Sequence, residues 1–205
     1  MAKQLLLIDG NSIVFRAFFA MHNQIDKFTN KDGLHTVAIY GFKLMLDHVL
    51  DNFHPDAALV AFDAGKKTFR TKMYADYKGG RNKTPEELME QLPYVHQLVR
   101  ASGLHSYELK NYEADDIIGT LAKEADDAGY ETLVVTGDRD LTQLASDHTT
   151  VAVTHKGVTD TEHYTPAHVE EKLGITPKQI IDMKALMGDT SDNYPGVTKV
   201  GEKTA

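Results

Sequence analysis

The sequence contains no cysteine, which excludes both a disulfide framework and a thiolate-bound zinc site. It also lacks a long apolar run: the segment "LLLI" stops at Asp9 and is too short for a signal-peptide core. The ten histidines are scattered and do not recur at ligand spacing on one helix face. With 41% hydrophobic and 25% charged residues, the chain is predicted to be a globular protein of a reducing cytoplasm, with no membrane partner.

Positive charge is in the minority, and the net charge of −8 taken alone argues against a nucleic-acid partner. The basic residues are unevenly placed, however. Residues 66–83 hold seven of them and a single acid, interleaved with Phe69, Tyr74 and Tyr77. A solvated lysine-rich surface is one interpretation. The other is a channel for a single strand, in which cations follow the phosphates and aromatic rings stack on bases.

Short apolar runs alternate with helical patterns along the chain. Strands are predicted over residues 4–8, 57–62, 131–136 and 149–154, with a hairpin over 153–164 at one edge. Helices are predicted over about 36–53, from Thr84 onward, from about 113 to 128, over 166–173 and over 177–187. The motifs "TPEE" at Thr84 and "TPKQ" at Thr176 predict capping boxes. This alternation predicts an α/β fold with a central, mostly parallel sheet.

Nine acids fall where strands end or helices begin. They are Asp9, Asp63, Glu113, Asp115, Asp116, Asp138, Asp140, Asp189 and Asp192. Any single one of these acids can be explained as a turn former or N-cap. The carboxyl ends of parallel strands share one edge of the sheet, however, and nine carboxylates gathered there would repel each other. Hard cations such as Mg²⁺ or Mn²⁺ prefer such oxygen ligands. A pair about 3.5–4 Å apart clamps the attacking and leaving oxygens of a displacement at phosphorus.

Five segments occur in the order and spacing of a known family. They are "LLLIDGNS", "AFDAGKKTFRTKMYADYKGGR", "YEADDIIGTLA", "VTGDRDLTQL" and "LMGDTSDNYPGVTKVGEKTA". On these residues the chain resembles the bacterial 5′-nuclease (flap endonuclease-like) family, and above all the 5′→3′ exonuclease domains that precede bacterial DNA polymerases. The resemblance implies a PIN-like core with helices on both sheet faces. It also implies hydrolysis of DNA phosphodiesters at 5′ ends and 5′ flaps, in replication and repair.

The same resemblance assigns roles to individual residues. Asp9, Asp63, Glu113, Asp115 and Asp116 would form one metal site, and Asp138, Asp140, Asp189 and Asp192 the other. Lys78 and Arg81 match the basic pair near the scissile phosphate, within a helical arch over residues 66–83. Further DNA contacts are expected from Lys66, Lys67, Arg70, Lys72, Tyr77, Lys83, Gly196, Gly201 and Lys203.

The resemblance also implies an organisation and a set of partners. Residues 1–175 would be the nuclease core, and 176–205 the beginning of a helix-hairpin-helix region, often with a bound K⁺, truncated inside its second helix. The expected cofactors are two Mg²⁺ or Mn²⁺ ions. The expected partner is DNA with a 5′ flap or 5′ end, with an RNA–DNA hybrid as a further candidate. A monomer is expected, fused to a DNA polymerase in the full-length protein, at the nucleoid of the bacterial cytoplasm.

Three alternative functions are compatible with part of this pattern. A phosphatase of the haloacid dehalogenase type also begins with a strand ending in Asp, but it needs a second Asp two residues later, where this chain has Asn11. A non-catalytic DNA-binding module would be marked by lost metal ligands, and none of the nine acids is missing. RNA as the substrate of the same chemistry remains open.

Overall fold

A six-stranded sheet forms the centre of the protein. The structure is a computed structural model that describes residues 2–156 and 160–205. The strands are β1 (Gln4–Asp9), β2 (Ala57–Phe62), β3 (His105–Glu108), β4 (Glu131–Thr136), β5 (Thr149–Lys156) and β6 (Asp160–Tyr164). Their order is β3-β2-β1-β4-β5-β6, and only β6 runs antiparallel to its neighbour. The predicted mostly parallel sheet is therefore confirmed.

Helices cover both faces of this sheet. Within the described residues they are α1 (Gly10–Met21), α2 (Val37–Phe53), α3 (Phe69–Met73), α4 (Glu86–Met89), α5 (Leu92–Ala101), α6 (Ala114–Asp127), α7 (Pro166–Leu173) and α8 (Gln179–Met187). The described residues also contain two 3₁₀ segments, His22–Phe28 and Arg139–Leu144, and a small hairpin of β7 (Gly188–Asp189) with β8 (Tyr194–Pro195). None of these helices is long and apolar enough to cross a bilayer.

The core is divided by the sheet into two apolar clusters. Leu6 and Ile8 of β1 point toward α1, α2 and α5, whereas Leu7 points toward α6, α7 and α8. Successive side chains of a strand face opposite sides, so a strand covered on both faces must be apolar throughout. This explains the uninterrupted apolar run of β1. It also explains why the acid of this strand, Asp9, stands at the strand end and not among the residues that face the two clusters.

The predicted edge hairpin is present in part. β5 and β6 pair in antiparallel register, with Val151 opposite Tyr164. Its connecting residues 157–159 lie outside the described part of the chain.

Two predicted helix starts differ from the structure. The helix expected from Thr84 is split into α4 and α5, and Thr84 caps neither of them. The split follows from Pro93 near the start of α5, because proline has no N–H and resists continuation of a preceding helix. The second predicted box is only half formed: Thr176 N donates to Gln179 Oε1 at 2.9 Å, and α8 begins at Gln179 rather than at 177.

Gln91 lies between α4 and α5, and its side chain hydrogen-bonds to the start of α2. Its side chain is fully buried; Oε1 accepts from Ala38 N at 2.7 Å and Nε2 donates to Glu87 O at 2.7 Å. The cap position of α2, Thr36, makes no side-chain capping bond. Gln91 therefore satisfies a helix N–H group that would otherwise be buried without a partner.

We expect Gln91→Ala to lower the free energy of unfolding by about 2–3 kcal/mol, because it leaves the buried N–H of Ala38 and the partly buried carbonyl of Glu87 unpaired. Urea denaturation measures the change. The matched control is Gln97→Ala on the exposed face of α5, which should stay within about 0.5 kcal/mol of the parent. Equal stability of the two variants would contradict this role for Gln91.

Candidate active site

Two acids hold the carboxyl ends of β1 and β2 against the helices that follow. Asp9 Oδ1 accepts from Ser12 N at 3.0 Å and so caps α1, while its Oδ2 accepts from Thr136 Oγ1 at 2.8 Å. Asp63 Oδ1 accepts from Ala114 N, the first residue of α6, at 2.8 Å. Local folding thus fixes both carboxylates at one edge of the sheet.

The first turn of α6 adds the partly buried Asp115 to this edge. Burial, together with the nearby charges of Asp9 and Asp138, raises the pKa of Asp115 from 3.8 to about 8. Burial likewise raises the pKa of Asp9 to about 6, with the charges of Asp63 and Asp138 acting in the same direction. Asp9, Asp63, Asp115 and Asp138 therefore form a cluster of mutually repelling carboxylates, which we call the edge cluster.

The other two acids of this turn are occupied by cations from residues 66–83. Arg70 makes two bonds to Asp116, at 2.7 and 2.8 Å. Although burial opposes it, this guanidinium holds the pKa of Asp116 below its usual range. Glu113 Oε2 accepts from Lys78 Nζ at 3.0 Å and from the Tyr77 hydroxyl at 3.1 Å.

A second acid group lies around Lys184 of α8. The Lys184 ammonium contacts Asp140 Oδ1 at 2.8 Å and Asp189 Oδ2 at 2.7 Å. Despite the opposing effect of burial, the Lys184 contact lowers the pKa of Asp189 far below its usual range. Sequence reasoning missed Lys184, because a lysine near the end of a helix is an ordinary surface residue. Its spacing of five residues before Asp189 was the one available signal.

Asp138 links the two groups of acids, and the predicted division into two metal sites stays a prediction. Its charge acts on Asp9 and Asp115 and also on Asp140, whose backbone N–H donates to Asp138 Oδ1 at 2.8 Å. Asp192 is joined to the basic segment: it accepts from the Tyr77 hydroxyl at 2.9 Å and from Arg81 at 2.6 Å.

The predicted arch is helical only over α3, and its remainder closes over the acids in turns. Lys78 has a left-handed backbone with φ of 57°, and two glycines follow it, so a helix cannot continue here. Lys78 N donates to Asp192 O at 2.8 Å, and Asn193 Nδ2 donates to Asp76 O at 2.8 Å. The arch thus rests on the loop between β7 and β8.

Four of the predicted DNA contacts remain on the outside of this arch. Lys66, Lys67, Lys72 and Lys83 are exposed, and none of them makes an ion pair within residues 2–156 and 160–205. Arg70 and Tyr77, by contrast, face the acids, and together with Phe69 and Tyr74 they line a groove of about 1090 Å³ between α3 and α6.

Close backbone contact explains two glycines near the end of the chain. Gly188 has φ of 76°, and a Cβ added there would lie 2.3 Å from Gly196 N. A Cβ on Gly196 would lie 2.2 Å from the carbonyl carbon of Met187. The two glycines therefore allow the end of α8 and β8 to touch through their backbones. DNA contact by Gly196 stays a prediction.

The second helix expected in the tail is not formed within the described residues. Thr204 N and Ala205 N both bond to Gly201 O, at 2.8 and 2.9 Å, which makes a single turn. One isolated turn is too short to be a stable helix. Gly201 and Lys203 are exposed on it.

Comparison with known families identifies the class of protein that this fold and site define. Residues 4–174 match the model of the 5′-3′ exonuclease N-terminal resolvase-like domain, and residues 175–205 match its C-terminal SAM fold. The chain therefore belongs to the 5′-3′ exonuclease family of nucleases.

Its relatives of high identity are bacterial polymerases. The chain is 60% identical over 202 residues to DNA polymerase I of Streptococcus pneumoniae (strain R6), and 59% identical over 203 residues to that of Bacillus subtilis. These alignments cover 98% and 99% of the chain but only 23% of each relative. The chain thus spans about a quarter of the length of the polymerases it matches.

Solved structures share the fold at low sequence identity. T5 5′-exonuclease with bound zinc superposes with a TM-score of 0.79 at 23% identity, over 98% of this chain and 73% of that one. Flap endonuclease-1 from Methanococcus jannaschii superposes with a TM-score of 0.56 at 18% identity, over 98% of this chain and 69% of that one.

The edge cluster predicts a pH-dependent stability in the presence of a chelator. Unfolded Asp115 ionises near 3.8 and folded Asp115 near 8, so between these values the folded state holds a proton that the unfolded state lacks. Stability therefore falls as pH rises through this window. We expect urea denaturation to show a loss of at least about 1 kcal/mol between pH 5 and pH 8.

Asp115→Asn should flatten this dependence and stabilise the protein at pH 8 by about 1–3 kcal/mol, because it removes one charge from the cluster. Glu124→Gln, at an exposed position of the same helix, is the matched control and should change neither quantity. A stability that rises between pH 5 and pH 8, unaltered by Asp115→Asn, would show that the cluster is not under like-charge repulsion.

Proposed function

We propose that this chain is a divalent-metal-dependent 5′ nuclease that hydrolyses DNA phosphodiesters, as a 5′→3′ exonuclease and a 5′-flap endonuclease, in replication and repair. The observation that carries this proposal is the edge cluster. Four carboxylates, from β1, the end of β2, α6 and the loop after β4, meet at one edge, although burial and neighbouring charge disfavour the ionisation of Asp9 and Asp115. Such a cluster lowers the stability of the fold, so it is explained by a ligand that brings positive charge.

The donor chemistry fits two Mg²⁺ or Mn²⁺ ions, since every candidate ligand is a carboxylate oxygen. The side-chain positions do not close around an ion: within residues 2–156 and 160–205, no three acidic or histidine side chains are arranged to hold one. Three of the nine predicted acids are paired with ammonium groups: Lys78 contacts Glu113, and Lys184 contacts Asp140 and Asp189. Metal binding by these three acids would displace the ammonium groups.

The nine predicted acids would hold the metal ions. Bound divalent ions at such a site supply a nucleophilic hydroxide and stabilise charge on the attacking and leaving oxygens. A solved T5 flap endonuclease of the same fold is described in complex with DNA and metal ions, which supports this assignment.

Lys78 and Arg81 are proposed to contact the scissile phosphate. Both reach over the acid edge, where Lys78 pairs with Glu113 and Arg81 with Asp192. These carboxylates hold the Lys78 ammonium and the Arg81 guanidinium in position. A phosphodiester entering the edge would take the place of the carboxylates as the acceptor, and a cation aimed at developing phosphate charge stabilises the transition state.

The exposed lysines 66, 67, 72 and 83 are proposed to attract the strand, and the aromatic groove between α3 and α6 to receive unpaired bases. Gly196, Gly201 and Lys203 are proposed to contact the duplex, with K⁺ as a candidate ion there. We propose DNA with a 5′ flap or 5′ end as the substrate and an RNA–DNA hybrid as a second one. We further propose a monomeric nuclease domain joined to a DNA polymerase, at the nucleoid of the bacterial cytoplasm.

A 5′-labelled flap, a blunt duplex and a single strand, each incubated with Mg²⁺, Mn²⁺ or chelator, test this function. We expect metal-dependent cleavage near the flap junction, short 5′ products from the duplex, and no cleavage with chelator. Asp63→Asn is the inactive control. Absence of metal-dependent cleavage by the folded chain on all three DNAs would overturn the proposal.

Lys78→Ala should lower the single-turnover cleavage rate by about 10²–10³, as removal of one transition-state donor typically does. Lys72→Ala is the comparison, because Lys72 lies on the exposed side of α3. It should keep the rate at saturating enzyme and instead weaken DNA binding, reducing the salt slope by about 0.9. A single-turnover rate that is unchanged by Lys78→Ala would rule out the catalytic role.

A further inference from the structure

One buried hydroxyl joins two strands of the edge cluster. Thr136 is the last residue of β4 and is fully buried. Its Oγ1 donates to Asp9 Oδ2 at 2.8 Å and accepts from Asp138 N at 3.0 Å. The direction of both bonds is fixed, because a carboxylate can only accept and a backbone N–H can only donate.

We propose that Thr136 is a positioning residue for the metal-binding acids, holding the Asp9 carboxylate and the Asp138 backbone in one fixed relation. This inference rests on the proposed function. β1 and β4 are parallel neighbours, with Ile8 opposite Val135, so the next residue on each strand is Asp9 and Thr136. The register therefore brings the hydroxyl beside the carboxylate, and the chain then turns back so that Asp138 N meets the same oxygen.

The two bonds join two segments that each carry an acid of the edge cluster. One hydroxyl oxygen lies 2.8 Å from Asp9 Oδ2 and 3.0 Å from Asp138 N, so it ties the end of β1 to the loop after β4. Without this hydroxyl, Asp9 Oδ2 and Asp138 N lose the partner that they share. Hydrogen bonds to metal-binding carboxylates act in this manner, and their loss typically lowers metal affinity 10- to 100-fold.

Other threonines in the same sheet show that burial alone does not require such bonds. Thr132, also in β4, and Thr154, in β5, are buried, and the Oγ1 atom of each has no hydrogen-bond partner. Their β-branched shape suffices to explain their presence in strands. Thr136 differs because it uses both its donor and an acceptor site, and both on residues of the edge cluster.

The test compares Thr136→Val, which keeps the shape and removes the hydroxyl, with Thr136→Ser, which keeps the hydroxyl. Thr132→Val on the same strand is the matched control, because it removes a hydroxyl that bonds to nothing. Three quantities are measured on the folded chain: the midpoint of a calorimetric Mn²⁺ titration, the amide hydrogen-exchange rate of Asp138, and the single-turnover rate on a 5′ flap.

For Thr136→Val we expect a Mn²⁺ midpoint raised about 10- to 100-fold and an Asp138 amide that exchanges at least about tenfold faster. Thr136→Ser should restore both to within about threefold, and Thr132→Val should change neither. An unchanged Mn²⁺ midpoint or unchanged Asp138 exchange in Thr136→Val overturns the positioning role. Failure of the proposed function is distinguishable, since the parent chain itself would then neither bind Mn²⁺ nor cleave the flap.

Discussion

Repulsion between carboxylates at one edge of the sheet is the constraint on which the rest of the structure depends. Burial and neighbouring charges raise the pKa of Asp9 to about 6 and of Asp115 to about 8, so the fold holds both groups where ionisation is disfavoured. They stay together because β1, β2 and β4 are fixed by two apolar cores, and because hydrogen bonds at the strand ends leave the acids little freedom. The stability of the α/β core thus offsets a locally unfavourable arrangement.

Cations from two separate parts of the chain pair with the acids that lie beside the edge cluster. Arg70, Lys78 and Arg81 come from the basic segment, and Lys184 comes from α8. The acids therefore help to determine where the arch lies, since Tyr77, Lys78 and Arg81 of its turns all bond to Glu113 or Asp192. A segment held by ion pairs is also one that a phosphate or a metal ion can displace, because both compete for the same partners. Binding of a phosphate or a metal ion at the acids would therefore change the position of the arch.

The sheet and the acid positions could be predicted because they follow from strong, short-range patterns. Continuous apolar runs indicated buried parallel strands, and each strand end placed its acid at the same edge. The partners of those acids could not be predicted: the pairing of Arg70 with Asp116 joins residues 46 positions apart, and it depends on how the arch folds back. The helix signal at Thr84 does not reveal the break between α4 and α5, because the break depends on the opposing effect of Pro93.

The roles of Thr136 and Lys184 were hidden for a related reason. Threonine is common in strands and lysine is common near helix ends, so neither position departs from an ordinary pattern. Their importance arises only from the register of β1 with β4, and from the turn that carries α8 back to Asp140. Residues that position a site through hydrogen bonds are for this reason harder to predict than the acids they serve.

Asn11 is a neutral residue at the acid edge, where a further carboxylate would increase the repulsion. Its Nδ2 donates to Asp63 Oδ2 at 3.1 Å, and its Oδ1 accepts from Asp63 N at 3.3 Å, so one neutral side chain joins the ends of β1 and β2 through both of its polar atoms. An aspartate at position 11 could accept from the backbone but not donate to the carboxylate, and it would add a further charge beside Asp63. Asn11, the residue that distinguishes this sequence from a phosphatase of the haloacid dehalogenase type, therefore has a structural role. It brings two strand ends together without adding to the repulsion that the site already contains.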